Sequence, residues 1–70
     1  MKIIWVLERF DSPMGYVGVF AVVGKDAPVY GHVPNWSSYV KRFDSEEDAL
    51  KFGHRHDFIE QNYIPMEHQE

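Results

Sequence analysis

The chain has no cysteine among its 70 residues, and this absence restricts its fold more than any other feature. A domain of this length buries only roughly 60% of its unfolded surface, so small domains commonly depend on disulfides, a metal or a partner. Without cysteine, disulfides and cysteine-based zinc sites are excluded. Stability must therefore come from close packing, from self-association or from binding to a larger partner.

The apolar content is sufficient for a folded core. Hydrophobic residues make up 44% of the chain and aromatic residues 16%, which argues against a disordered chain. The first apolar stretch has only five residues, from Ile3 to Leu7. Signal-peptide cores have roughly 7–15 apolar residues and membrane spans ~20. We therefore expect a cytoplasmic protein that does not enter a membrane.

The N-terminal half predicts an antiparallel β-hairpin. Residues 2–10 and 16–23 are rich in β-branched and aromatic side chains, which favour strands. Between them, Pro13 presets φ and Gly15 can adopt a positive φ, as a turn requires.

A third, shorter strand is predicted over residues 38–43, where Val40 would lie on one face and Tyr39 and Phe43 on the other. The preceding segment, residues 29–37, is interrupted by Gly31 and Pro34. It is therefore predicted to be a loop, which carries two large aromatic side chains, Tyr30 and Trp36.

The clearest local pattern predicts a helix after residue 44. Ser45 or Asp44 can supply the N-cap oxygen, and acidic residues fill the first turn before an apolar face begins. Gly53 either lies inside this helix, at a cost of roughly 1 kcal/mol relative to Ala, or ends it. In the second case another element would follow near residues 58–63. Pro65 is expected to end the ordered structure.

These elements predict a small α+β fold with a three-stranded antiparallel sheet, in the order β-β-β-α, packed against one C-terminal helix. Residues 1–64 would form a single domain. Residues 65–70 would form a frayed C-terminal tail, as chain ends commonly do.

The charge distribution is uneven. The formal net charge is −4, and eight of the 11 acidic residues follow residue 43. An acidic chain is poorly suited to polyanionic nucleic acid, so direct nucleic-acid binding is disfavoured. Such a chain can instead attract the basic surface of a partner.

The motifs of common enzymes are missing. The chain has no cysteine nucleophile, no Gly-rich phosphate loop and no Gly-x-Ser-x-Gly sequence. His54 and His56 would diverge on a helix, so they are not expected to bind one metal ion. We therefore predict a protein that is not an enzyme and that uses no cofactor or metal.

Aromatic and acidic residues are the candidates for a binding site. Trp and Tyr are over-represented at the energetic centres of interfaces. We predict contact with a larger protein, or with a protein–nucleic-acid complex, through the following residues: Tyr30, Trp36, Tyr39, Glu46, Glu47 and Asp48.

Three alternatives remain open. The carboxylates are also explained by a helix N-terminus, where the dipole stabilises negative charge, and the aromatic residues by a core. The apolar strand face could instead be buried between subunits of a homodimer. Lys41 and Arg42 beside the aromatic residues could also form a stacking platform that binds single-stranded nucleic acid weakly.

The layout resembles the short acidic accessory proteins that bacteriophages and mobile elements encode, anti-CRISPR proteins among them. The resemblance rests on residues 1–4, on the hairpin turn at 12–15 and on the capped helix start at 43–50. It extends over residues 1–60 and concerns the general layout of the chain. It implies a small inhibitor that binds a host machine, such as a CRISPR effector complex, in a fixed ratio, and it assigns no residue a role.

Overall fold

The computed structural model describes residues 1–70 and has an α+β architecture with a four-stranded antiparallel sheet. The elements in chain order are β1 (Ile3–Arg9), β2 (Gly15–Phe20), β3 (Val29–Val33), α1 (Glu46–Arg55), a 3₁₀-helix (Ile59–Gln61) and β4 (Tyr63–Gln69). The strands lie in the order β3-β2-β1-β4, and α1 packs against them. The α+β class and the antiparallel sheet are thus confirmed, but the sheet has four strands instead of three.

Strands β1 and β2 pair only beside their connecting turn. Their register pairs are Glu8 with Tyr16 and Arg9 with Gly15. Beyond these pairs the strands diverge, and residues 39–43 lie between them. Residues 39–43, which we call the bridging segment, thus fill the gap between β1 and β2 at the centre of the sheet.

The bridging segment bonds to both strands. On the β2 side, the Val19 N–H donates to the Tyr39 carbonyl at 2.8 Å, and the Lys41 N–H donates to the Val17 carbonyl at 2.9 Å. On the β1 side, Phe43 and Trp5 exchange two bonds, at 2.8 and 2.9 Å. The prediction of a third strand over residues 38–43 is therefore wrong, because the segment crosses from one strand to the other and forms only isolated bridges.

The third strand is β3, so the prediction of a loop over residues 29–37 is wrong for its first five residues. Gly31 does not break the strand but lies opposite Gly18 of β2. A Cβ at Gly18 would collide with the Val33 side chain and lie 3.3 Å from the Tyr39 carbonyl oxygen. The glycine of β2 therefore allows β3 and the bridging segment to approach closely.

The C-terminal residues form β4, so the prediction of a frayed tail over residues 65–70 is wrong. Strand β4 pairs with β1 along its whole length, from Arg9 opposite Tyr63 to Ile3 opposite Gln69. Lys2 and Glu70 extend the pairing by two bonds of 2.8 Å each. Pro65 does not end the structure, because an edge strand tolerates proline where its nitrogen faces outward.

The predicted helix is present and begins at the predicted cap. The Ser45 hydroxyl accepts a hydrogen bond from the Asp48 N–H at 3.1 Å. Gly53 lies inside the helix instead of ending it, and a Cβ there would be 2.6 Å from Cδ1 of Ile59. The glycine thus lets the 3₁₀-helix pack directly against α1.

The sheet separates two apolar clusters. We call the side that α1 covers the helix side and the other the open side. The helix-side core contains Leu7, Val17, Phe43, Ala49, Phe58 and Tyr63. The open-side core is smaller and contains Ile4, Val6 and Val40, with Tyr16 and Met66 packed against it. The open side lacks a helix, so its surface is the candidate for external contacts.

Removing residues 65–70 should abolish cooperative folding, because β1 would lose most of its pairing partner. We expect the truncated chain to show no cooperative thermal unfolding by circular dichroism. The control is a full-length chain with Glu67 and Gln69, both exposed, changed to Ala, which keeps the backbone pairing and should unfold cooperatively. A truncated chain as stable as the full-length protein would contradict the role of β4.

Candidate interaction surface

The structure divides the predicted binding residues between the two sides of the sheet. Tyr30 lies on the helix side, where its ring packs edge-on against Phe52 at 4.7 Å between centroids. Trp36 and Tyr39 lie on the open side, where they contact residues of β2 and β4. The six predicted residues therefore do not form one continuous surface.

The acidic start of α1 is solvated. Glu46, Glu47 and Asp48 are all exposed. Glu47 makes an ion pair of 3.0 Å with Lys51 one helical turn later, and both side chains are at least 70% exposed. Exposed pairs of this kind contribute little to stability. The carboxylates favour the positive end of the helix, and they lie on the element that covers the helix side.

Trp36 is the centre of the open side. Its ring stacks on His68 of β4 at 4.7 Å and meets Tyr16 of β2 edge-on at 5.4 Å. The Arg42 guanidinium carbon lies 5.1 Å from the same ring. We call Tyr16, Trp36, Arg42 and His68 the Trp36 cluster. Although held by three neighbours, Trp36 keeps 40% of its surface exposed.

Arg42 ties the loop that carries Trp36 to the end of β4. Its Nε and Nη2 donate to the two carboxylate oxygens of Glu70, at 2.9 and 2.7 Å. Its Nη1 donates to the Val40 carbonyl at 2.7 Å. Hydrogen bonding to Arg42 lowers the pKa of the Glu70 carboxyl below its usual value of 4.5. Such a bidentate pair fixes orientation as well as charge.

His68 and Tyr16 extend this arrangement toward β1. His68 Nε2 lies 3.0 Å from a carboxylate oxygen of Glu8, which accepts the ring N–H. Burial, followed by the nearby charge of Glu8, raises the pKa of the Tyr16 hydroxyl above 10.0. Tyr16 therefore keeps its proton at neutral pH and remains a possible hydrogen-bond donor at the rim of the Trp36 cluster.

Tyr39 is the second exposed aromatic residue of the open side. Its ring stacks on Phe20 with 5.4 Å between centroids, and 56% of its surface is exposed. Its backbone N–H donates to the Ser37 hydroxyl at 3.2 Å, which fixes the turn before the bridging segment. The open side thus presents Trp36 and Tyr39, each stacked on one ring and open to solvent.

The two basic residues that could bind single-stranded nucleic acid diverge. Lys41 Nζ lies over the rings of Phe43 and Phe52 on the helix side, at 5.0 and 5.5 Å from their centroids. Arg42 points to the open side and is bonded to Glu70. The two side chains therefore do not form one basic platform.

Two clefts adjoin Tyr63 on the helix side. One, of about 380 Å³, is mainly apolar and lies beside Leu50, while the other, of about 440 Å³, contains Arg9 and His32. The Tyr63 hydroxyl and His32 Nδ1 share a hydrogen bond of 2.8 Å, and burial raises the pKa of Tyr63.

Arg9, which lines the second cleft, already has partners within the fold. Arg9 donates to the carbonyls of Gln61, Pro13 and Asp11 at 2.8, 3.0 and 3.2 Å. The Arg9 guanidinium thus joins the β1–β2 turn to the 3₁₀-helix, which is a structural role.

No group of three or more His, Asp or Glu side chains is placed to hold a metal ion. No helix combines the length and the apolar character that crossing a bilayer would require.

Sequence reasoning missed Tyr16 and His68 as members of the cluster around Trp36. The missing information was the strand character of residues 63–69. With that assignment, the two-residue period places Ile64, Met66 and His68 on one face, beside the strand that carries Glu8. The contact of β4 with Trp36 has no local sequence pattern.

Comparisons of the chain with models of protein families, with curated proteins and with solved structures gave no match.

The ion pair between Arg42 and Glu70 should make stability depend on pH in the acidic range. The folded-state pKa of Glu70 is lowered, so its contribution is present above about 4.5 and is lost as pH falls through the lowered value. Glu70→Gln should therefore lower the thermal midpoint by a few degrees at pH 7, and this difference should vanish in strong acid. Thermal unfolding followed by circular dichroism at several pH values measures the difference between the two midpoints.

Glu67→Gln is the matched control, because Glu67 is exposed on the same strand. Its midpoint should follow that of the unmodified protein at every pH. A difference for Glu70→Gln that stayed constant from pH 7 into acid would show that its carboxylate charge contributes nothing.

Proposed function

We propose that this protein is a non-catalytic protein-binding module that contacts its partner with the open side of the sheet. One observation carries the proposal: Trp36 and Tyr39 are held in position on that side by stacking, yet remain 40% and 56% exposed. Trp and Tyr are over-represented among the residues that contribute most to the affinity of protein interfaces.

The positions of these rings favour binding. A side chain that is already held by neighbours loses less conformational freedom when a partner covers it. Trp36 is held by His68, Tyr16 and Arg42, and Arg42 is itself fixed by Glu70. The aromatic centre would bury apolar area, and the surrounding polar groups would supply hydrogen bonds at the rim.

Charge supports a partner with a basic surface. The net charge of −4 attracts such a partner over distances of about one Debye length, roughly 8–10 Å. Glu46, Glu47 and Asp48 would contribute to this long-range attraction, while direct contact would rest on Trp36 and Tyr39. The proposed partner is a larger cytoplasmic protein or protein–nucleic-acid complex, and occlusion of its working surface would make this protein a stoichiometric inhibitor.

The first experiment is a pull-down from bacterial lysate with the tagged protein, at low and high salt, followed by mass spectrometry. One dominant partner is expected, captured in a fixed ratio and more weakly at high salt. Calorimetric titration with that partner then tests the surface. Tyr39→Ala and Trp36→Ala should each weaken binding by about tenfold or more, the effect of losing an aromatic anchor.

Met14→Ala is the control, because Met14 is a comparably exposed apolar residue, 60% exposed, in the β1–β2 turn. It should bind as the unmodified protein does. Circular dichroism must show that each variant is folded. Folded Tyr39→Ala and Trp36→Ala variants with unchanged affinity would contradict the open side as the contact surface.

A further inference from the structure

The two edges of the sheet differ in how well they are protected. Edge strands expose unpaired N–H and C=O groups, and proteins commonly protect them with proline or charge. Strand β4 carries Pro65 and Glu67. Strand β3, at the other edge, reads Val-Tyr-Gly-His-Val and has no proline, acidic residue, lysine or arginine. The edge of β3 is therefore open to another strand.

The hydrogen-bond pattern shows which groups of β3 face outward. The Val19 N–H and the Val17 carbonyl bond to residues 39 and 41, so both point away from β3. Gly18 and its alternate neighbours in β2 must then bond to β3, and they lie opposite Val29, Gly31 and Val33. The backbone groups of Tyr30 and His32 therefore point away from the sheet.

The same reasoning explains the protection of β4. Lys2 and Glu70 exchange two hydrogen bonds, so every second pair along β1 and β4 does the same. Pro65 lies opposite Leu7, between two such bonded pairs. Its nitrogen thus faces outward, and the donor that proline lacks is missing where an incoming strand would need it.

We propose that two copies of this protein pair antiparallel through β3, with Gly31 on the twofold axis, to form a continuous eight-stranded sheet. In this register Tyr30 of one copy lies opposite His32 of the other, and Val29 lies opposite Val33. The outward groups of Tyr30 and His32 then form four hydrogen bonds across the axis. The register that satisfies these groups is self-complementary, as a twofold interface requires.

Charge and packing favour a second copy as the occupant. Residues 27–33 contain no acidic residue, lysine or arginine, so two acidic chains can meet here without opposing like charges. Tyr30 is held by Phe52 and His56, at 4.7 and 5.0 Å between ring centroids. The His32 ring of the second copy would lie beside it, since opposite residues in antiparallel strands share a face.

The expected affinity is modest. Stable interfaces bury ~800 Å² on each partner, and a strand of five residues alone offers less. Exposed apolar residues at this end of the sheet, among them Val29 and Val22, add to the contact area. We therefore expect dimers at micromolar concentrations and monomers after dilution.

Cross-linking through one introduced cysteine gives a sharp test, because the native chain has none. Gly31 faces its copy in a non-hydrogen-bonded pair, with a Cα separation near 4.5 Å, which lies within the range of disulfides. The nearest atom to a Cβ at Gly31 is 3.8 Å away, so the side chain fits. Gly31→Cys should form a disulfide dimer at least tenfold faster than the fully exposed control Val23→Cys. Equal rates would overturn the proposed register.

Sedimentation of the unmodified protein tests the dimer without substitution. Dimer formation should rise with concentration and should be lost in His32→Pro, which copies at β3 the protection that Pro65 gives β4. His32→Gln, which keeps the backbone N–H, should still dimerise. A strict monomer up to ~1 mM would overturn the proposal and would indicate that β3 pairs with a strand of another protein. A dimer that persisted in folded His32→Pro would also overturn it, because the interface would then lie elsewhere.

Amide hydrogen exchange covers the case in which His32→Pro fails to fold. In the unmodified protein, the amides of Tyr30 and His32 should become protected as concentration rises. If exchange of these amides is unchanged at concentrations where sedimentation shows a dimer, the proposal is also overturned. Tyr39→Ala should dimerise normally, so this test and that of partner binding by the open side can fail independently.

Discussion

The structure depends on the hydrogen bonds that residues 39–43 make at the centre of the sheet. Strands β1 and β2 diverge after two residue pairs, which would leave buried N–H and C=O groups without partners. The bridging segment satisfies them on both sides. From residue 40 onward its side chains alternate: Val40 and Arg42 reach the open side, while Lys41 and Phe43 reach the helix side.

This alternation produces two different surfaces from one sheet. The helix side is closed by α1, whose Ala49 and Gly53 allow close packing. The open side is covered by the loop that carries Trp36, and Arg42 fastens that loop to Glu70 at the end of β4. A small chain without disulfides can hold such a loop because the ion pair joins two segments that are already fixed by strand pairing. The exposed rings that we propose as a binding surface follow from this arrangement.

A second consequence of the chain's small size is the large share of backbone groups that lie unpaired at the two edges of the sheet. With four strands, half of all strands lie at an edge, and their unpaired groups are a large share of the backbone surface. Pro65 protects one edge, and its outward nitrogen costs the β1–β4 pairing nothing. The other edge has no such device, so we assign self-association to β3, while partner binding is assigned to the open side.

The sequence by itself determined the elements whose stabilising contacts lie close together along the chain. The hairpin turn and the Ser45 cap depend on residues no more than a few positions apart, so their patterns were readable. The exposure of Trp36 and Tyr39 also agrees with an excess of aromatic residues in a small core. Only the tertiary structure decided the remaining features.

The tertiary features join residues that are distant in the sequence. Residues 63–69 became a strand because β1 offered a complete partner about 60 residues away, as in the contact between Glu8 and His68. Residues 29–33 became a strand because Gly18 leaves room for the Val33 side chain and for the Tyr39 carbonyl. Residues 39–43 became a bridge because β1 and β2 diverge. Tyr30 was separated from Trp36 by the side of the sheet that each reached. Such pairings depend on the free energy of the whole packed chain, which no local pattern records.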